Sequence, residues 1–371
     1  LGYDMIRHVE NLPKPNQDKL LLPDAIMIRP SIAIVVDNIK NDVILITPIW
    51  HNKFKKSNAN ATRVYQDSVE LIENHKFKIN ETLKVRKKKF TVCESPSHSN
   101  FSKKDYFSII KKAQRYIIAG DIFQVVLSQR WKLPFTYSPF SFYRALRKTN
   151  PSPYMFYFNF GAFQVVGASP EILVKVSNRE ITIRPIAGTR PRGANKVEDI
   201  QLEKELKNDP KELAEHLMLL DLGRNDVGKV AEIGTVVPTE KFIVERYSHV
   251  MHIVSNVKGV LKKSSDSLSA LLAGLPAGTV SGAPKIRAME IIDELETEKR
   301  GVYGGAVGYF GVNGDMDMCI ALRTAVLKDN FLYIQAGGGV VFDSDPELEY
   351  KETINKAKAL TKAAIDAKNF P

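Results

Sequence analysis

From Ser102 onward the apolar positions fall into readable periods. Ser102 is placed to cap a helix whose apolar residues Phe107, Ile110, Ile117 and Ile118 recur at helical spacing, and Gly120 closes it. YMFYFNF (154–160) and AFQVVGAS (162–169) read as strands about Gly161, and ILVKVS and EITIRPI flank a short SNR turn. VYGGAVGYFGV (302–312), DMCIALRTAVL (317–327) and FLYIQAGG (331–338) read as strands joined by tight NGD and KDN turns. Turns this short close antiparallel hairpins, because parallel crossovers need far more chain. Helical patterns lie between the strands near 140–149, 199–207, 210–222, 266–274, 284–297 and 346–366. Hairpins separated by helices predict an α+β fold on antiparallel sheets.

The first hundred residues are less regular. SIAIVV (31–36) and DVILITPIW (42–50) read as strands, residues 51–100 are polar and lysine-rich, and ESPSHSN (94–100) reads as a linker or exposed loop. No internal repeat is evident.

Composition narrows the class. The 371 residues are 44% hydrophobic, enough for one large or two ordinary domains. The formal net charge is +11, with one dense basic run, KVRKKKF at 84–90. Such runs are more often solvated faces than nucleic-acid sites. The aromatics lie mainly in apolar strands and no basic recognition helix appears, so no nucleic-acid partner is expected. A basic balance also steers small anions into clefts. Cys93 and Cys319 stand far apart and form no C-x-x-C pair, which suits a reducing cytosol and suggests neither a disulfide framework nor a zinc site. The longest apolar stretches are too short to span a bilayer and no signal peptide is visible, so a cytoplasmic protein without a membrane partner is expected. The chain opens at Leu1, and an N-terminal portion is expected to be missing from this numbering.

Carboxylates supply the first candidate chemistry. In DPKELAEHLMLLDLGRND (209–226) Asp209 suits an N-cap and Pro210 the first helical position. Leu213, Leu217 and Leu220 should face the core, with Glu212, Glu215 and His216 on another face. Early glutamates also favour a helix dipole without any further role. DSDPELEYKETINKAKAL (343–360) repeats the arrangement, with Asp345 as cap, Pro346 opening the helix, and Glu349 and Glu352 one turn apart. Lys356 follows Glu352 at i+4, which also reads as a surface ion pair worth a few tenths of a kcal/mol. If the two helices met across a cleft, their oxygen ligands would suit Mg²⁺, which takes one or two carboxylates plus waters and an anionic substrate.

Other stretches carry candidates of their own. TIRPIAGTRPRG (182–193) reads as a bent, basic loop around Gly188 and Thr189. QAGGGVVFD (335–343) places three glycines after a strand, either as an amide-lined concavity for a carboxylate or as close sheet packing. Arg323 falls mid-strand in ALRTAV, where it needs a partner such as a carboxylate. PAGTVSGAPK (276–285) opens a helix at Pro284, an anion-favouring position, without the spacing of a Walker loop. His249 and His252 lie three apart, on opposite faces of a strand, and Glu171 follows a strand and a proline. Histidines there are commonly structural, and beside a carboxylate-lined cleft they move protons.

Taken in order, GDIFQVVLSQR, GASPE, PIAGTRPRG, KELAEHLMLLDLGRND, HVMHIVS, PAGTVSGAPK, YGGAVGY, CIALRTA and QAGGGVVFDSDPELEYKET resemble the chorismate-utilising enzymes. GYDMIRHVENLP (2–13) is similar to that family's upstream segment, and within the family the likeness is to the large subunits, component I, of anthranilate synthases. The resemblance implies antiparallel sheets packed as a sandwich flanked by helices, with the active site in a cleft. Residues 99–371 would form the chorismate-binding catalytic domain, and residues 1–98 the remainder of an N-terminal subdomain with its linker. Glu215 and Glu349 are implied to hold Mg²⁺, with Glu212 and Glu352 assisting, against the ring carboxylate of chorismate. Arg323, Tyr303 and the backbone at Gly339 would hold the enolpyruvyl carboxylate, with Lys356 a further carboxylate partner. Gly188 and Thr189 would contact the ring end. Glu171 is the implied general acid for the departing hydroxyl and base for the later ring proton, and His252 rather than His249 aligns with the family's active-site histidine.

Relatives that make isochorismate carry a lysine where this chain has Gln124, and aminodeoxychorismate synthases carry one where it has Ala187. A glutamine cannot act as that base, and a methyl group cannot attack carbon. The implied nucleophile is therefore ammonia and the implied products anthranilate and pyruvate, the first committed step of tryptophan biosynthesis. Aminodeoxychorismate synthase and isochorismate synthase are the alternatives within the family. Neither cysteine has the glycine-flanked setting of an amidotransferase nucleophile, so a separate glutamine amidotransferase subunit is the expected ammonia source. Tryptophan is the expected feedback inhibitor. NPSPYMF supplies part of that pocket as Pro153, Tyr154 and Met155, while the other part, an N-terminal L-L-E-S type segment, is not found.

Overall fold

A computed structural model describes residues 1–50, 61–81, 98–247 and 250–370. The basic run at 84–90, Cys93, His249 and most of the expected linker at 94–100 lie outside them. Leu1–Ala25 groups with Lys89–Pro371 in one unit, and Ile26–Lys88 forms a second. In the second, β1 (Ala33–Asp37) and β2 (Asp42–Ile46) make an antiparallel hairpin with Ala33 opposite Ile46. The polar stretch after them conceals helix α1 (Ala61–Asn80). Only Val64 and Ser68 are buried on it.

The larger unit is α+β, as predicted. Among the described residues its strands form two seven-stranded antiparallel sheets. One orders β12 (Gly282–Ala283), β4 (Gln124–Pro134), β16 (Phe331–Val340), β15 (Thr324–Lys328), β6 (Phe163–Ser169) and β5 (Tyr154–Asn159), with β3 (His98–Ser99) also on β4. The other orders β10 (Val237–Arg246), β11 (Val250–Val260), β8 (Glu180–Ile183), β7 (Ile172–Ser177), β14 (Met316–Ile320) and β13 (Ala306–Phe310), with β9 (Ile186–Pro191) also on β11. Helix starts follow their caps. Ser102 accepts from the Asp105 amide at 3.1 Å to begin α2 (Lys103–Ile118), and α3 (Pro139–Thr149), α4 (Lys196–Asn208) and α6 (Ser267–Gly274) are capped by Ser138, Asn195 and Asp266. No helix among the described residues is long and apolar enough to cross a membrane.

DMCIALRTAVL, which reads as one strand, is two. β14 lies in one sheet and β15 in the other, and residues 321–323 carry the chain across. Residues 170–171 make the same crossing between β6 and β7. The crossings are bonded to each other: the Ile320 amide donates to the Glu171 carbonyl at 3.0 Å, and the Ala168 amide to the Arg323 carbonyl at 3.1 Å. Arg323 is therefore not mid-strand. It sits in the crossing with φ of 47°, a left-handed backbone that a continuous strand cannot accommodate. The apolar residues on either side hid the break, because both strands bury both faces.

Helix α5 (Pro210–Val230) carries a second correction. Asp209 caps it as expected. Its buried stripe, however, runs through His216, Leu219, Leu220, Gly223 and Val227. Leu217 is 49% exposed. His216 takes the core position, its Nε2 2.6 Å from Ser255 Oγ and its ring 5.0 Å from that of Phe242. Burial lowers the His216 pKa to about 4, so the ring is neutral and packs as an apolar group with one polar contact. Leu220 joins Leu173, Val174, Ile181, Val227, Leu271 and Met318 in the core beneath the β7–β14 sheet. Beneath the other sheet, Phe142, Leu146, Val166, Leu327 and Leu332 pack with Leu360 of α8 (Pro346–Asp366).

These placements give unequal costs for two leucines three residues apart. Leu220→Ala should lose about 2–5 kcal/mol of unfolding free energy in urea titrations, and Leu217→Ala less than about 0.5 kcal/mol. Equal costs would contradict the orientation of α5.

Candidate functional site

Between the sheets and the N-terminal turns of α5 and α8 lies a cavity of about 970 Å³, at the upper end of the range for small-molecule sites. Glu171, Gly188, Thr189, Glu212, Glu215, His252, Tyr303, Arg323, Gly339, Glu349, Glu352 and Lys356 all line it. The fold thus gathers residues spread over most of the larger unit. Pro153 also reaches the wall. Tyr154 turns its hydroxyl to Asp317 Oδ1 at 2.9 Å, and Met155 packs against the core around Phe142 and Leu146.

The two glutamate-bearing helices both begin at the cavity. Asp209 accepts from the amides of Lys211 and Glu212, and Asp345 from that of Leu348. Their carboxylates are held unequally. Glu212 is bound by Arg190 at 2.9 Å and Glu352 by Lys356 at 2.7 Å. Glu215 accepts from Gln124 Nε2 at 3.1 Å, and Glu349 from Ser344 Oγ at 2.8 Å. Among the described residues neither Glu215 nor Glu349 makes an ion pair. Burial raises the pKa of both, and neighbouring glutamates raise it further: Glu212 and Glu352 for Glu215, Glu352 for Glu349. Among the described residues no three acidic, histidine or cysteine side chains converge as a ready-made metal cage. Two uncompensated carboxylates beside a roomy cavity still fit a hard cation that keeps several waters.

Glu171 and Arg323 occupy the two chain crossings. Burial lifts the Glu171 pKa from its ordinary 4.5 to about 7, against the Thr279 hydroxyl, which donates to Oε1 at 3.0 Å, and the charges of Lys356 and Arg323. A carboxyl so placed holds a proton near neutral pH and can give it up. Burial lowers the Arg323 pKa, with Glu171 opposing. Among the described residues its guanidinium makes no hydrogen bond or ion pair, so it offers an unspent bidentate donor to the cavity. Tyr303 is buried, its pKa raised to about 12 by burial, with the Arg300 guanidinium 5.5 Å from its ring.

TIRPIAGTRPRG is not a free loop: residues 186–191 are β9. Thr189 pairs with His252 and Ala187 with Ile253, so Gly188 is an extra residue in the ladder. Its φ of 71° is what such a bulge requires and what glycine allows. The bulge brings the Gly188 carbonyl 3.2 Å and Thr189 Oγ1 3.0 Å from His252 Nδ1. A carbonyl can only accept, so Nδ1 carries the proton and Nε2 the lone pair. Burial lowers the His252 pKa, leaving the ring neutral at pH 7. The loop's arginines bind protein groups: Arg190 grips Asp209 and Glu212, Arg192 grips Asp199, and Arg184 grips Glu245.

QAGGG likewise lies inside a strand, β16, paired to β4. A Cβ on Gly337 would stand 2.8 Å from the Tyr303 hydroxyl, one on Gly338 3.0 Å from Glu349 Oε2, and one on Gly339 2.5 Å from Gln124 Nε2. Each glycine makes room for a side chain of the site. Thr279 and Lys211 were missed as site residues. Thr279 lies inside PAGTVSGAPK, but nothing sequential ties it to Glu171, 108 positions away. Lys211 lines the cavity while bonding Asp343 at 3.0 and 3.1 Å. The anion-favouring start of α7 (Lys285–Leu295) does not reach the cavity; its Lys285 pairs with Asp226 at 2.7 Å.

The chain is similar to known proteins in sequence and fold. The description of chorismate binding enzymes matches residues 1–362. The chain is 62% identical over 371 residues to the anthranilate synthase component 1 of Cereibacter sphaeroides, covering 100% of this chain and 73% of that one. It is 50% identical over 367 residues to that of Pseudomonas aeruginosa, covering 98% and 73%. The crystal structure of anthranilate synthase component I from Streptococcus pneumoniae superimposes with a TM-score of 0.85 at 41% identity, over 97% of this chain and 79% of that one. The menaquinone-specific isochorismate synthase of Escherichia coli superimposes with a TM-score of 0.70 at 25% identity, over 80% and 69%.

The raised pKa of Glu171 makes its burial a stability cost with a defined pH window. Between pH 4.5 and about 7 the folded chain keeps a proton that the unfolded chain releases, so the contribution worsens as pH rises and is complete above 7. Glu171→Gln should therefore stabilise the fold relative to the parent at pH 8, by up to about 3 kcal/mol, and not at pH 4. Chemical denaturation at both pH values measures this; a variant equally destabilised at both would contradict it.

Proposed function

The chain belongs to the family of chorismate-binding enzymes, and we propose that it makes anthranilate and pyruvate from chorismate and ammonia. The observation that carries this reading is the composition of the cavity wall. Glu171, Arg323 and the two carboxylate helices line it, with Gln124 and Ala187 at the positions where a lysine would redirect the chemistry. Its lysines are otherwise engaged: Lys356 donates to the Gly337 carbonyl at 3.0 Å and pairs with Glu352, and Lys211 pairs with Asp343.

Glu215 and Glu349 would hold Mg²⁺, with Glu212 and Glu352 beside them. When bound, the cation would supply positive charge to fix the ring carboxylate of the substrate. The protein's own groups do the rest. Arg323 offers its free guanidinium to the enolpyruvyl carboxylate, with Tyr303 and the β16 backbone beside it. Glu171 donates its proton to the departing ring hydroxyl, which leaves as water while the ammonia nitrogen bonds to the ring. The resulting carboxylate then takes the ring proton as the ring C–O bond breaks, and the enolpyruvyl group leaves as the enolate of pyruvate, whose methylene carbon takes the proton that the new ring ammonium releases. His252 presents Nε2 from the Thr189 side. Ammonia would come from a separate glutamine amidotransferase, as a component I implies. Feedback inhibition by tryptophan and a cytoplasmic setting belong to the same proposal.

Incubating the chain with chorismate, MgCl₂ and ammonium should yield anthranilate, identified by fluorescence and mass. Aminodeoxychorismate or isochorismate instead would replace the reading with the corresponding synthase. Glutamine in place of ammonium should give no product from the single chain. Glu215→Ala and Glu349→Ala should each lower Mg²⁺-dependent turnover by at least about 100-fold while circular dichroism stays unchanged, and near-normal turnover in either would remove that residue from the metal site.

A further inference from the structure

We propose that Gln124 is a positioning residue that holds Glu215 for the divalent cation, and that position 339 is glycine to let it do so. This rests on the reading of Glu215 as a metal ligand. Gln124 opens β4 and is 5% exposed. Its Nε2 donates to Glu215 Oε1 at 3.1 Å, joining a sheet to a helix 91 residues away. Among the described residues it is the one hydrogen-bond donor to Glu215. On the other side of the amide lies β16, where Gly339 pairs with Val126 of β4. A Cβ at 339 would stand 2.5 Å from Gln124 Nε2 and 3.4 Å from its Cδ. The carboxamide thus occupies the space that a side chain on the neighbouring strand would fill.

The orientation of the amide shows which contact governs it. Gln124 Oε1 is buried and has no hydrogen-bond partner. Turning the amide over would set that oxygen against the Glu215 carboxylate, acceptor to acceptor. The bond to Glu215 therefore decides the orientation even though it strands a carbonyl, a combination that costs free energy unless the bond serves something else. The neighbouring carboxylates sharpen the point. Glu212 and Glu352 are gripped by the cations Arg190 and Lys356. Glu215 is gripped by a neutral donor, which fixes one oxygen without neutralising the group. A carboxylate aimed in this way keeps its charge and its second oxygen for a metal, as outer-shell partners of metal ligands do.

The test titrates MgCl₂ calorimetrically into the chain with chorismate present and ammonium absent, and follows turnover against Mg²⁺ concentration. Gln124→Leu should raise the Mg²⁺ Kd by about 10- to 100-fold, and saturating Mg²⁺ should recover most of kcat. Gln124→Met, close in volume and lacking the donor, serves if the leucine variant fails to fold. Gly339→Ala pushes the amide away and should move the Mg²⁺ midpoint in the same direction. The double variant should be no worse than the poorer single one, because both break one contact. A Kd within about twofold of the parent in the position-124 variants overturns the proposal. A loss of kcat that saturating Mg²⁺ does not recover also overturns it, since it puts Gln124 on the reacting atoms. Absence of Mg²⁺ binding by the parent chain would remove the metal reading of Glu215 itself and this inference with it.

Discussion

Two pairs of strands cross from one sheet to the other side by side, and the backbone bonds between the crossings hold the site together. Glu171 sits in one crossing and Arg323 in the next, tied by amide–carbonyl bonds at 3.0 and 3.1 Å. A carboxyl and a guanidinium that both line the cavity are thereby fixed by main chain. The left-handed backbone at Arg323 is strain that the flanking sheets impose. Burial at the junction leaves Glu171 a proton near neutrality, and Arg323, half-buried beside it, makes no hydrogen bond or ion pair among the described residues.

Around that junction the molecule concentrates negative charge that it only partly compensates. α5 and α8 aim their N-terminal ends at the cavity, and those ends favour carboxylates. Arg190 and Lys356 offset the outer glutamates, whereas among the described residues Glu215 and Glu349 have only neutral donors. A chain of net charge +11 thus keeps a locally acidic wall in the cleft through which an anion must enter. The cation proposed for Glu215 and Glu349 would offset that burden, which is why the metal and the substrate are proposed together.

Glycine performs two different tasks here. At Gly188 it supplies a backbone conformation, the bulge that carries a carbonyl and the Thr189 hydroxyl to one nitrogen of His252. In β16 it supplies absence, three consecutive places where Tyr303, Glu349 and Gln124 can lie against the main chain. Sequence patterning reads the first as a bent basic loop and ends the second strand at Gly338, because neither a bulge nor close packing against a strand has a periodic signature.

Local physics determined much of this protein from sequence alone. The caps at Ser102, Asp209 and Asp345, the tight hairpin turns and the α+β class follow from side-chain hydrogen bonding and chain reach over a few residues. Long ordered motifs supplied the family and, through it, the residues that line the cavity. Tertiary structure decided what spacing cannot carry. Leu217 faces solvent and His216 the core because neighbouring strands, not helical period, choose the buried side. Arg323 leaves its strand because two sheets compete for one apolar run. Thr279 reaches Glu171, and Gln124 reaches Glu215, only because crossings and strand pairing bring together positions some hundred residues apart, a distance over which no local propensity acts.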